Sequence, residues 1–264
     1  MNTLPNRRNS MPPTAERRSS LHALAFVALL LAAGLAAHGP VAQWVSYHAF
    51  ADARGWLGLP NAENVLSNLP FALIGAWAWR ALQRAPGLAA WRLFSAALVA
   101  TALGSAAYHW APGNGLLVAD RLPIAWACAA LLCAFLAERV DARCASLPAL
   151  CAAAAASSAS VAWWWFTEQH GVGDLRPYLF VQFLPMLVVP AALLLKLQPL
   201  RHDAVRDATW WTVLGLYGAA KLMELADAPV LKMLVFTSGH TLKHVLAAAA
   251  AACLLGGIRS GSRR

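Results

Sequence analysis

Apolar residues run along this chain in long blocks, without the two-residue alternation of a half-buried strand. The blocks cover residues 21–37, 65–82, 91–110, 117–137, 147–166, 178–197, 208–225 and 239–255. Most approach the ~20 residues that a helix needs to cross a ~30 Å hydrocarbon layer. In lipid, a helix satisfies every backbone amide within its own segment, which makes it the natural spanning element. No pattern of the outer-membrane barrel type is present. The predicted fold is therefore all-α, a polytopic transmembrane bundle of about eight helices.

Composition agrees. Hydrophobic residues make up 59% and charged residues 12%, where globular chains carry about 25% charged. Too little polar surface remains to clothe a water-soluble particle. The formal net charge of +9 does not point to nucleic acid, because the basic residues cluster in short loops between apolar blocks. Fifteen of the 21 Lys and Arg, including Arg17, Arg80, Arg92, Arg139, Arg143 and Arg201, fall on one side of an eight-span topology. The other six (Arg54, Arg121, Arg176, Lys221, Lys232, Lys243) lie on the opposite side or within helices. This asymmetry predicts cytoplasmic termini, with loops around 40–62, 110–117, 167–176 and 226–238 outside, in the periplasm of a Gram-negative cell. Residues 1–20, rich in Arg, Ser, Pro and Asn, read as a disordered cytoplasmic tail. The block at 21–38 reads as a retained transmembrane helix or uncleaved signal anchor, with a signal peptide as the competing reading. The five cysteines form no CxxC pair and read as small packing residues. Trp163, Trp164 and Trp165 suit an aromatic belt at the lipid–water interface.

Ionisable residues inside spans carry the chemical information, since each costs ~2.5–3.5 kcal/mol or more without a partner. His240 and His244 are four apart and share one helical face. Ser105 and His109 do the same at the end of the third block, and Asp120 and Arg121 open the fourth. By topology all reach the same membrane face. Three imidazoles with one open position suit a catalytic zinc site, where bound water ionises near neutral pH. Asp120 is then placed to orient the water and carry its proton, and Ser105 to donate to the water or to a developing oxyanion. A b-type haem between facing helices is the rival, and histidines singly bonded to neighbouring helices are the bland reading. Lys221 and Glu224, three apart, read as an ion pair or as headgroup contacts. Pro185 and Pro190 are expected to kink the sixth block. Ser67 and Asn68 are expected to bridge helices or cap one.

Five stretches in order carry a family resemblance. They are residues 50–61, from Phe50 through Asp52, Arg54 and Trp56 to Pro60-Asn61; residues 64–71, with Asn64, Ser67-Asn68 and Pro70-Phe71; Gly104-Ser105-Ala106-Ala107-Tyr108-His109; Asp120-Arg121-Leu122-Pro123; and Ser238-Gly239-His240-Thr241-Leu242-Lys243-His244. In these the chain resembles the alkaline ceramidases and their bacterial ceramidase-like relatives. Those belong to a group of seven-helix membrane hydrolases that includes the progestin and adiponectin receptors. The resemblance implies a seven-helix core over residues 39–257, with 21–38 as an added first helix and 258–264 as a cytoplasmic tail. It implies zinc ligands His109, His240 and His244, and catalytic residues Ser105 and Asp120. The implied reaction is hydrolysis of the amide of ceramide, or of a similar N-acyl lipid, to a fatty acid and an amine. The partners are then the lipid substrate and the bilayer. A non-enzymatic receptor or scaffold with structural zinc, or a haem protein, is the alternative. The acidic calcium-binding stretch of the eukaryotic enzymes is missing. Asp52, Asn61 and Glu63 are the nearest oxygen donors, so calcium is doubtful.

Overall fold

The computed structural model describes residues 15–83 and 85–258. Most of the expected N-terminal tail (1–14), Arg84, and residues 259–264 of the C-terminal tail lie outside the described residues. Within them are ten α-helices: α1 (Ala15–His38), α2 (Ala62–Leu66), α3 (Leu69–Leu82), α4 (Ala89–Trp110), α5 (Asn114–Arg139), α6 (Leu147–Gln169), α7 (Arg176–Leu194), α8 (Asp207–Leu225), α9 (Asp227–Leu234) and α10 (Gly239–Gly256). The one β pairing among the described residues is an isolated bridge between Trp56 and Leu59. The chain is all-helical, as its apolar blocks predict.

Three boundaries differ from expectation. The first helix begins at Ala15 rather than at 21, so the expected disordered tail is helical from that point. Glu, Arg and Ala are good helix formers, and Arg17 anchors this turn by donating to the Arg139 and Gln198 carbonyls. The block at 65–82 breaks between α2 and α3. Pro70 sits in the first turn of α3, where a missing N–H costs nothing, and the break turns Ser67 and Asn68 into the bundle. Asn68 does not cap α3; its amide donates back to the Asn64 carbonyl at 2.8 Å. The expected loop at 226–238 contains the short helix α9. Helix α7 runs from Arg176 to Leu194 with Pro185 and Pro190 inside it.

Five helices (α1, α4, α5, α6, α7) are long and apolar enough to cross a membrane. The remaining apolar blocks form helices of 14 (α3), 19 (α8) and 18 residues (α10). Helix α5 packs against α4, α6 and α7; α4 also packs on α3, and α10 on α8 and α3. Trp91, Phe94, Leu98, Phe135, Trp210 and Leu254 fill the centre. A second apolar cluster of Tyr108, Leu117, Val161, Trp164 and Tyr178 lies at the end where α4 finishes and α5 begins. Outward, Leu29, Leu73, Trp77, Leu103, Leu194, Leu222 and Leu225 are exposed. Only 6% of the most apolar stretch of α1 is buried against the rest of the chain. So much apolar surface is stable against lipid, not against water.

Candidate metal centre

Helix α4 ends where α5 begins, and α10 starts beside them, so the buried residues His109, His240 and His244 meet at one end of the bundle. Their candidate ligand atoms all lie within 4.8 Å of one another. The Nε2 atoms of His109 and His240 are 3.3 Å apart, and the three ring centroids are separated by 4.8, 5.0 and 5.0 Å. A tetrahedral ion with bonds of ~2.0–2.1 Å spaces its nitrogen ligands by about 3.3 Å. Two imidazole nitrogens facing at that distance must share a proton or a cation. The buried cluster could hold a metal ion, and imidazole donors suit a first-row transition metal.

The surroundings orient the rings. Ser67 Oγ donates to the Asn64 carbonyl at 3.0 Å and lies 2.7 Å from His244 Nδ1. A neutral His244 whose Nδ1–H donates to Ser67 carries its lone pair on Nε2, the nitrogen then available to a metal. Ser67→Ala is therefore expected to weaken metal binding at this cluster by about 10–100-fold without unfolding the chain; chelator competition on the purified protein measures this. Asp227 accepts from His240 N (2.8 Å) with one carboxylate oxygen and from Ala51 N (3.0 Å) with the other. Ser238 caps α10 by accepting from Thr241 N, a cap typical of helix starts. Asn61 donates to the His109 carbonyl at 2.8 Å.

Residues 50–61 form a cover over this end. The Phe50 ring packs on His109 and His240 at centroid distances of 4.6 and 5.0 Å. Arg54 grips both oxygens of Asp52 and donates to the Val235 and Phe236 carbonyls just ahead of α10. Its guanidinium holds the Asp52 carboxyl below the ordinary carboxylate range, by hydrogen bonding, against the opposing effect of burial. Two of the three oxygen donors named for calcium, Asp52 and Glu63, face Arg54, while Asn61 bonds the His109 carbonyl through its amide nitrogen. Arg121 is buried against the Tyr47, Trp164 and Tyr178 rings and donates to Gln43. It ties the segment ahead of the cover to the bundle.

Ser105 and Asp120 line a cavity of about 210 Å³ that begins beside His244. Both side chains are buried beside the cavity, and Asp120 Oδ1 has no partner among the described residues. From there the cavity descends between Phe94, Leu98, Leu131, Met186, Val213 and Leu254. Lys221 pairs with Glu224 at 2.7 Å, as the spacing predicts, and Lys243 joins them from α10 at 3.0 Å. Sequence reasoning missed the supports Ser67, Asp227 and Phe50. Ser67 looks like a helix-bridging polar residue, and nothing in sequence separation joins Asp227 to residues 50–61. No family model and no curated protein matches the chain.

Proposed function

We propose that the chain is an integral membrane, zinc-dependent amidohydrolase of the alkaline ceramidase type. It cleaves the amide of ceramide or a similar N-acyl lipid to a free fatty acid and an amine. The observation that carries this reading is that His244, one of the three clustered histidines, lines a cavity together with Ser105 and Asp120, and that most of the remaining lining is hydrocarbon. An amphiphile with its polar bond at one end and its chain running inward fits such a space. A haem would need two of the rings on opposite faces of a macrocycle, whereas all three rings pack within 5.0 Å of one another.

His109, His240 and His244 would hold the ion, and zinc bound there would supply Lewis acidity at the amide carbonyl. Asp120, through its free oxygen, takes a proton from the attacking water and returns it to the amine nitrogen as the C–N bond breaks. Ser105 orients that carboxyl, and Phe50 and the cover exclude bulk water. In this reading α3, α8 and α10 complete an eight-span topology, a seven-helix core plus α1. Both termini are cytoplasmic in a bacterial inner membrane, and the reacting end faces the periplasm.

The test is metal analysis and a visible spectrum of the purified chain, with hydrolysis assayed on a panel of N-acyl lipids. Asp120→Asn is expected to lower kcat by about 10²–10⁴-fold with metal content unchanged. Equal turnover in both proteins removes the assigned role of Asp120. Bound zinc without hydrolysis of any amide on the panel favours a receptor or scaffold, and a Soret band without zinc ends the hydrolase reading.

A further inference from the structure

The cavity wall beside the histidines carries three charged side chains that the proposed chemistry leaves unused. Lys221 and Glu224 pair along α8 at 2.7 Å, and Lys243 reaches from α10 to the other Glu224 oxygen at 3.0 Å. All three line the cavity. The second neighbour of Lys243 decides what it does. Its Nζ lies 3.1 Å from His240 Nε2, the same nitrogen that faces His109 Nε2 at 3.3 Å.

A neutral imidazole offers one lone pair, and an ammonium has three protons to place. His240 Nε2 cannot accept from Lys243 and ligate a metal ion at once. An ion that takes this nitrogen therefore removes an acceptor from Lys243. The ammonium stays tethered to Glu224, beside the ligand cluster, with a free donor aimed into the cavity. Lys221 keeps Glu224 charge-balanced, so the tether does not depend on Lys243 alone. A fixed cation in a water-poor pocket is well suited to an oxygen on which negative charge develops.

We propose that Lys243, held beside the ligand cluster by Glu224, is the hydrogen-bond donor to the carbonyl oxygen of the amide bound at this centre. This rests on the amidohydrolase reading and adds a residue to it. It has a signature that a structural brace between α8 and α10 lacks: Lys243 opposes the metal while assisting the reaction. Removing it strengthens one and weakens the other.

The experiment compares the full chain with Lys243→Met and Lys243→Gln. Zinc affinity is read by competition with a chromogenic chelator, and turnover on ceramide by fatty-acid release. Zinc affinity is expected to rise about tenfold or more in both variants, because a like charge a few ångströms from a divalent ion is gone. Turnover is expected to fall by about 10²–10³-fold, mainly in kcat, as for loss of one oxyanion donor. Glu224→Gln, which leaves two ammonium groups without their carboxylate, is expected to shift zinc affinity the other way. Zinc affinity falling together with turnover in the Lys243 variants overturns the proposal in favour of a brace. Undiminished turnover overturns the donor role alone. A wild type inert on every amide overturns the hydrolase reading and the donor role with it, while raised zinc affinity in the variants still establishes the competition at His240.

Discussion

On the proposed zinc-site reading, His244→Ala is expected to leave a folded chain that no longer retains the metal through purification. His244 is one of three donors in a cluster with no replacement ligand among the described residues: the one group of His, Cys, Asp or Glu side chains able to share an ion contains it. Losing a ligand costs more than the roughly 10–100-fold that loss of a supporting residue costs. The substitution also removes the partner of Ser67 Oγ, but that hydroxyl keeps the Asn64 carbonyl, so the helix break between α2 and α3 stays satisfied. Metal content per chain, with the melting midpoint in detergent as the folding control, measures the effect. His202→Ala, in the exposed loop before α8, should match wild type. Full zinc retention by His244→Ala would show that the three rings do not share one ion.

The second large effect comes from two residues with no side chain at all. A Cβ on Gly104 would stand 1.9 Å from the Ala119 carbonyl oxygen, and one on Gly239 would stand 2.1 Å from the Met223 carbonyl oxygen. Both obstacles are backbone, so the helices themselves must move. Small residues at such points let helices in lipid approach closely. Here the first close approach sets Ser105 and His109 against Asp120, and the second sets His240 against Asp227. Gly104→Ala and Gly239→Ala are each expected to destabilise the chain by about 1–3 kcal/mol. On the proposed hydrolase reading, each should also lower metal affinity or turnover by about 10²-fold, the usual result of a 1 Å misplacement at a reacting centre. Gly215→Ala on α8, where an added Cβ meets nothing within 4 Å, should be neutral or stabilising, since alanine is the better helix former. If Gly104→Ala melts and binds zinc like Gly215→Ala, the close approach of α4 and α5 is not what aligns the site.

The membrane-type helical fold was legible because it follows from local pattern. Apolar blocks of near-spanning length force helices wherever they occur, and the blocks predicted at 91–110, 117–137 and 147–166 lie within α4, α5 and α6. The candidate ligands were legible for a related reason. His240 and His244 share a face by helical period alone, and His109 and Asp120 flank one short turn, so connectivity already brings them to one end. Tertiary structure decided what sequence distance hides. Asp227 joins Ala51 to His240, Ser67 orients His244, and Lys243 turns toward Glu224 and His240 instead of toward lipid. Periodicity places a side chain on a face, but only packing against other helices chooses its hydrogen-bond partner, and a buried polar group must find one wherever the fold supplies it.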